Sequence, residues 1–177
     1  MQNWMQVAAR PRLFQVAFLH CTHWLAGCGS QGSSPTWQVF KSEKCQFSAQ
    51  FPGPVNVDDA GTIAQFEASG DEANFRITCA AVPPVQGSGA AMRELLEMRD
   101  GAAKSLNATV EEARKADFQG HPAIDFTLTF AVAGTKMVSH SRYIRYPDRF
   151  FQLIVTAPAG ADAERDAQRF FESFHMD

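Results

Sequence analysis

Downstream of residue 27 the side chains suited to moving a proton near neutral pH are His121, His140 and His175, because only histidine titrates there in its ordinary state. His140 stands between Ser139 and Ser141, and His121 lies just ahead of Asp125. A hydrolase set of Ser139 or Ser141 with His121 and Asp125 can therefore be written. It has no local signature such as Gly-x-Ser-x-Gly to hold a serine on a sharp turn, and three such residues are easily found in any chain. No residue is assigned a catalytic role, and the protein is expected not to be an enzyme. Metal chemistry has no better footing, for the sequence holds no His-x-x-x-His, no Cys-x-x-Cys and no calcium loop. Asp58-Asp59 and Glu111-Glu112 are adjacent pairs, and neighbours on a strand point to opposite faces. Gly87-Ser88-Gly89 lacks the lysine and the spacing of a phosphate-binding loop. No metal site and no cofactor are expected. Arg142, Arg145 and Arg149 read as a solvated face.

The remaining reactive type is cysteine. Leu25-Ala26-Gly27-Cys28 closes a short apolar run and precedes the polar Gly29-Ser30-Gln31-Gly32-Ser33-Ser34-Pro35. Arg10 and Arg12 form a positive region before the apolar stretch 13–26, which Gln15, His20, Thr22 and His23 interrupt. That is the grammar of an export signal, and the run is too short for a spanning helix of about 20 apolar residues. Leu-Ala-Gly-Cys resembles a bacterial lipobox, at which residues 1–27 would be removed and Cys28 lipidated. More than one acyl chain on Cys28 would hold the protein firmly at a membrane, each buried methylene contributing about 0.8 kcal/mol. Gly29 after the cysteine implies, by resemblance to proteobacterial lipoproteins, the outer membrane facing the periplasm rather than the inner membrane. Residues 28–36, rich in glycine and serine, then form a flexible tether.

Removing residues 1–27 leaves 150 of 177, enough for one domain at 37–177. It also removes two arginines, leaving 14 basic against 19 acidic residues, a net charge of −5. That balance, with no basic stripe, argues against a nucleic-acid partner. Cys45 and Cys79 remain, in a compartment where a disulfide persists. Cys45 shares the parity of Phe47 and Phe51, and Cys79 that of Phe75 and Ile77. They either bridge under one sheet face or stay two buried thiols, because alternation fixes facing and not distance.

The elements that would position these groups follow from periodicity. After Trp37, Val39 and Phe40, strands are expected at 46–51, 62–68 and 74–81, with Pro52-Gly53-Pro54 ending the first. A helix is expected from about 90 to 106, apolar at Met92, Leu95, Leu96, Ala103 and Leu106, with Gly101 a candidate break. Charged 110–118 reads as an edge strand, Gln119-Gly120-His121-Pro122 as a turn, and Ile124, Phe126, Leu128, Phe130 and Val132 as one face of a long strand. Segments 136–146 and 149–157 form a hairpin about Pro147-Asp148, its second strand apolar on both faces and so central. A closing helix begins at Asp162 as N-cap and carries Ala163, Ala167, Phe170, Phe171 and Phe174 inward.

Phe47 to Gly53, Gly120-His121-Pro122, Arg142-Tyr143-Ile144, Phe150-Phe151-Gln152-Leu153 and Arg169-Phe170-Phe171-Glu172-Ser173-Phe174 occur in an order and spacing that resemble the Mog1/PsbP-like family. The resemblance implies an α+β domain, an antiparallel sheet flanked by helices in an α/β/α sandwich. It brings no catalytic residues, and fold is not function. The sequence expectation is a membrane-anchored envelope lipoprotein acting as a non-catalytic protein-interaction or assembly module, its partner another envelope protein. Carriage of a small apolar ligand between sheet and helix is the alternative, ahead of an envelope hydrolase.

Overall fold

The computed structural model describes residues 36–177. The Leu25-Ala26-Gly27-Cys28 motif, the expected signal 1–27 and the tether up to Pro35 lie outside the described residues.

The described chain runs β1 (Gln38–Ser42), β2 (Phe47–Phe51), β3 (Asn56–Asp58), β4 (Ile63–Ser69), β5 (Asn74–Ala81), α1 (Ser88–Leu106), β6 (Thr109–Phe118), β7 (His121–Val132), β8 (Thr135–Arg145), β9 (Arg149–Pro158), α2 (Ala163–Glu172) and β10 (His175–Met176). Seven strands form an antiparallel sheet in the order β3-β4-β5-β9-β8-β7-β6, and β1-β2-β10 form a small second sheet. β9 is the middle strand of the seven, which explains its two apolar faces. β6 is at the edge, where its charges discourage further pairing.

Two hairpin turns set the register of the long strands. Gln119 and Gly120 have φ of 52° and 79°, and Ala133 and Gly134 have φ of 49° and 84°. Positive φ at both central residues is the two-residue turn whose twist matches that of the strands. Consequently His121 and Pro122, expected in the turn, are instead the first residues of β7, paired with Phe118 and Asp117.

Alternation then divides the interior into two cores. On one face, Leu95 of α1 packs with Ile124, Phe126, Leu128, Tyr143 and Phe150. On the other, α2 and the small sheet close over Phe66, Phe75, Ile77, Phe151 and Leu153. This second core is aromatic and specific in geometry: Phe51 meets Phe170 edge-on at 5.1 Å, and Phe47 meets Phe66 at 5.0 Å. The disulfide Cys45–Cys79, Cα atoms 6.4 Å apart, joins the β1–β2 turn to β5 beneath it.

Several local expectations change. α1 runs through Gly101 without a break, because the face it lies on supplies more than the glycine removes. Of its apolar stripe only Leu95 is fully buried, and Leu106 is 44% exposed. Val39 points outward while Phe40 joins the core. Asp162 stands at the N-cap of α2, but its side chain makes no capping bond. Strands β3 and β10, three and two residues long, are too short to show a period.

Candidate functional site

The hairpin register lays charged side chains in rows across β6, β7 and β8. Arg114 and Asp125 are paired across β6 and β7, and Asp125 and Arg142 across β7 and β8. Arg142 grips Asp125 through two bonds, Nε to Oδ1 at 2.7 Å and Nη2 to Oδ2 at 2.9 Å. Arg114 adds two more from the edge, Nη2 and Nε to Oδ2 at 3.1 and 3.3 Å. Burial alone would push the Asp125 carboxyl up, but the hydrogen bonds and charges of Arg142 and then Arg114 outweigh it and hold the group below the ordinary carboxylate range. The Arg142 guanidinium lies over Phe171 at 5.2 Å and Phe118 at 5.9 Å, which fixes its plane. The next row is Glu112, Thr127 and His140. There Thr127 Oγ1 and His140 Nδ1 are 3.4 Å apart.

One wall of the site comes from α2. Glu164, Gln168 and Glu172 recur every four residues and so share a helix face, with Gln168 donating to Glu172 at 2.8 Å. Between this wall and the rows on β6–β8 runs a groove of about 740 Å³. Its surface is polar, with Arg114, Asp125 and Arg142 ion-paired and Glu112, Glu164 and Glu172 adding carboxylates fixed to a strand and a helix.

The serine, histidine and aspartate set is not brought together. Ser139 and Ser141 sit on the α1 side of the sheet, their hydroxyls 3.3 Å apart. Asp125 and His140 are on the α2 side, and His121 stacks on Tyr146 at 4.1 Å. Strand alternation separates them. His175 pairs with Ser48 at the small sheet. Among the described residues no group of three or more His, Cys, Asp or Glu is placed to hold a metal ion. Nor is any described helix long and apolar enough to cross a membrane.

The three arginines are not a solvated face. Arg145 is 2% exposed and donates to Glu94 at 2.8 Å and to the carbonyls of Pro83, Tyr146 and Pro147. It ties the β8–β9 hairpin to α1, a buried charge with each of its three nitrogens hydrogen-bonded. Arg149 bonds the Cys45 carbonyl at 3.1 Å and pairs with Asp148. Arg142 belongs to the groove. No motif gives Arg114, Gln168 or Glu172 a site role, and Arg142 stands in the trio expected to be solvated, yet a signal exists in the sequence. Arg114 and Asp125 are equidistant from the Gln119-Gly120 turn, and Asp125 and Arg142 from the Ala133-Gly134 turn, so two correctly typed turns would have paired them.

No protein-family model and no curated protein matches the sequence. Solved structures do. Cyanobacterial PsbP from Synechocystis sp. PCC 6803 superimposes over 86% of this chain and 99% of its own with a TM-score of 0.56 at 12% identity. The Ran-binding protein Mog1p of Saccharomyces cerevisiae does so over 81% and 96%, with a TM-score of 0.51 at 11% identity. The fold is Mog1/PsbP-like. A protein from Bacteroides thetaiotaomicron VPI-5482 matches 78% of the chain with a TM-score of 0.52 at 21% identity, and the chain spans about half (48%) of that protein's length. Identities this low carry the Mog1/PsbP-like architecture alone.

Proposed function

We propose that the protein is an envelope lipoprotein held by Cys28, whose Mog1/PsbP-like domain is a non-catalytic module that binds another envelope protein in the groove between α2 and strands β6–β8. The groove itself carries this reading. At about 1.5 Å per residue, the 10 residues of α2 make a wall about 15 Å long, the span of four or five residues of extended chain. Fixed rows of arginine, carboxylate, threonine and histidine offer a polypeptide segment both backbone and side-chain partners. Yeast Mog1p is a Ran-binding protein, so protein recognition is within the fold's repertoire. The export grammar of Arg10, Arg12 and the stretch before Cys28 supports the location.

The test uses the full chain in cells with a photo-crosslinking residue at Gln168 or, as control, at the exposed Glu97 on α1. The expected result is one protein adduct from position 168, absent from 97 and lost with Cys28→Ala or Arg142→Glu. Equal labelling from both positions, or none from the groove, overturns the binding reading. A Cys28 without acyl groups by mass spectrometry overturns the anchor.

A further inference from the structure

The opposite face of the sheet holds a second cavity, independent of the groove. α1 stands over β7 and β8, and beside its C-terminal half a space of about 410 Å³ opens onto β5 and β9. No large side chain fills it. Its lining is mixed: apolar from Leu106, Leu128, Phe130 and Ile154, hydroxylic from Tyr143 and Thr156, and charged from the Arg76–Glu67 pair. The size falls within the range of small-molecule sites. The exposed Leu106 borders the cavity rather than open surface alone.

Tyr143 is the telling residue. It is 2% exposed, and its ring is clamped edge-on by Phe126 at 4.8 Å and Phe150 at 5.4 Å. Ser139, Ser141 and Thr156 satisfy one another, but among the described residues the Tyr143 hydroxyl bonds to no protein group. No fully enclosed side-chain oxygen or nitrogen lacks a partner among them. The hydroxyl therefore opens into the cavity. Burial pushes its pKa up to about 12, against a smaller opposite pull from Arg76, so it remains a donor at neutral pH. Arg76 lines the same cavity. Its Nε pairs with Glu67 at 2.5 Å in a half-exposed position, and its terminal nitrogens bond nothing else among the described residues. The Tyr143 hydroxyl and the terminal nitrogens of Arg76, whose Nε is held by Glu67, thus line one cavity together with its apolar side chains.

We propose that this cavity binds an apolar monocarboxylate, its head group accepting hydrogen bonds from Tyr143 and Arg76 and its tail lying along Leu106, Leu128, Phe130 and Ile154. A donor pair of this kind favours an anionic acceptor over a neutral one, since bonds to ionised groups are about twice as strong.

The experiment is calorimetric titration of the full chain carrying Cys28→Ser, so that no acyl group of its own competes, with decanoate and, as neutral control, decanol. Saturable one-to-one binding of decanoate is expected, with decanol at least tenfold weaker. Tyr143→Phe and Arg76→Gln should each weaken decanoate by roughly tenfold, the loss of one hydrogen bond to a charged group. Ala102→Trp, which places a ring in the cavity, should abolish binding while the circular dichroism spectrum stays unchanged. No saturation, or binding that survives both Tyr143→Phe and Ala102→Trp, overturns the proposal.

Discussion

The two helices cover the two faces of one sheet in different ways. α1 has 19 residues and fully buries only Ala91 and Leu95, whereas α2 has 10 and buries Ala163, Ala167, Phe170 and Phe171. The shorter helix is the better anchored. It closes a core already filled by Phe47, Phe51, Phe75 and Phe174, so its aromatic rings find partners at once. α1 rests on the edge half of the sheet and leaves a cavity at its flank. Helix length is therefore a poor guide to how firmly a helix is held; the density of apolar neighbours decides. The two faces also differ in their polar sites. On the α2 face Asp125 is held by two arginines, and on the α1 face the Tyr143 hydroxyl has no protein partner among the described residues.

The largest expected effect tests the packing difference directly. Phe170→Ala should cost about 3–5 kcal/mol in equilibrium denaturation, and Leu95→Ala about 2–3 kcal/mol, because α1 borders open space and can settle into the gap. A Leu95 loss equal to or above that of Phe170 would break the contrast between the helices.

A smaller effect distinguishes the matched charges. The folded pKa of Asp125 is lowered, so its contribution is present above the unfolded value of about 3.9 and is lost as pH falls through the folded one. Above pH about 5, Asp125→Asn should therefore be less stable by about 1–2 kcal/mol, for the ion pair is only partly shielded from water. The two proteins should converge as the pH is lowered below the ordinary carboxylate range. A gap that persists there would assign the loss to packing instead of charge.

The smallest effect is a gain. Gly101 in α1 has nothing within 4 Å of an added Cβ and an ordinary negative φ, so Gly101→Ala should stabilise the protein by about 0.5–1 kcal/mol through helix propensity. A loss of stability in equilibrium denaturation would mean that α1 lies closer to its neighbours than the open flank implies.

Much of the sheet is legible along the chain. Alternation marks β4, β5, β7 and the two-faced β9, and four-residue recurrence marks the aromatic face of α2. Each is a local period that burial of one face imposes. The breakdowns are equally physical. β3 and β10 are shorter than the period that would reveal them, and His121 and Pro122 carry a turn signal yet open a strand, because glycine and proline mark turns only on average. Arg145 looked like a surface charge, since nothing in its own neighbourhood says that Glu94 and the carbonyl of Pro83 will come to meet it.

Local periodicity is enough to mark the inward face of the long strands and of α2 and the succession of the longer elements, and the grammar around Cys28 is likewise local. The tertiary structure decided which faces meet: that Arg114, Asp125 and Arg142 form one row, that Cys45 reaches Cys79, and that Tyr143 opens into a cavity. Facing is a property of two or three neighbours along a strand. Meeting depends on register and on which elements cover which face, and those are fixed only when segments far apart in the chain pack together.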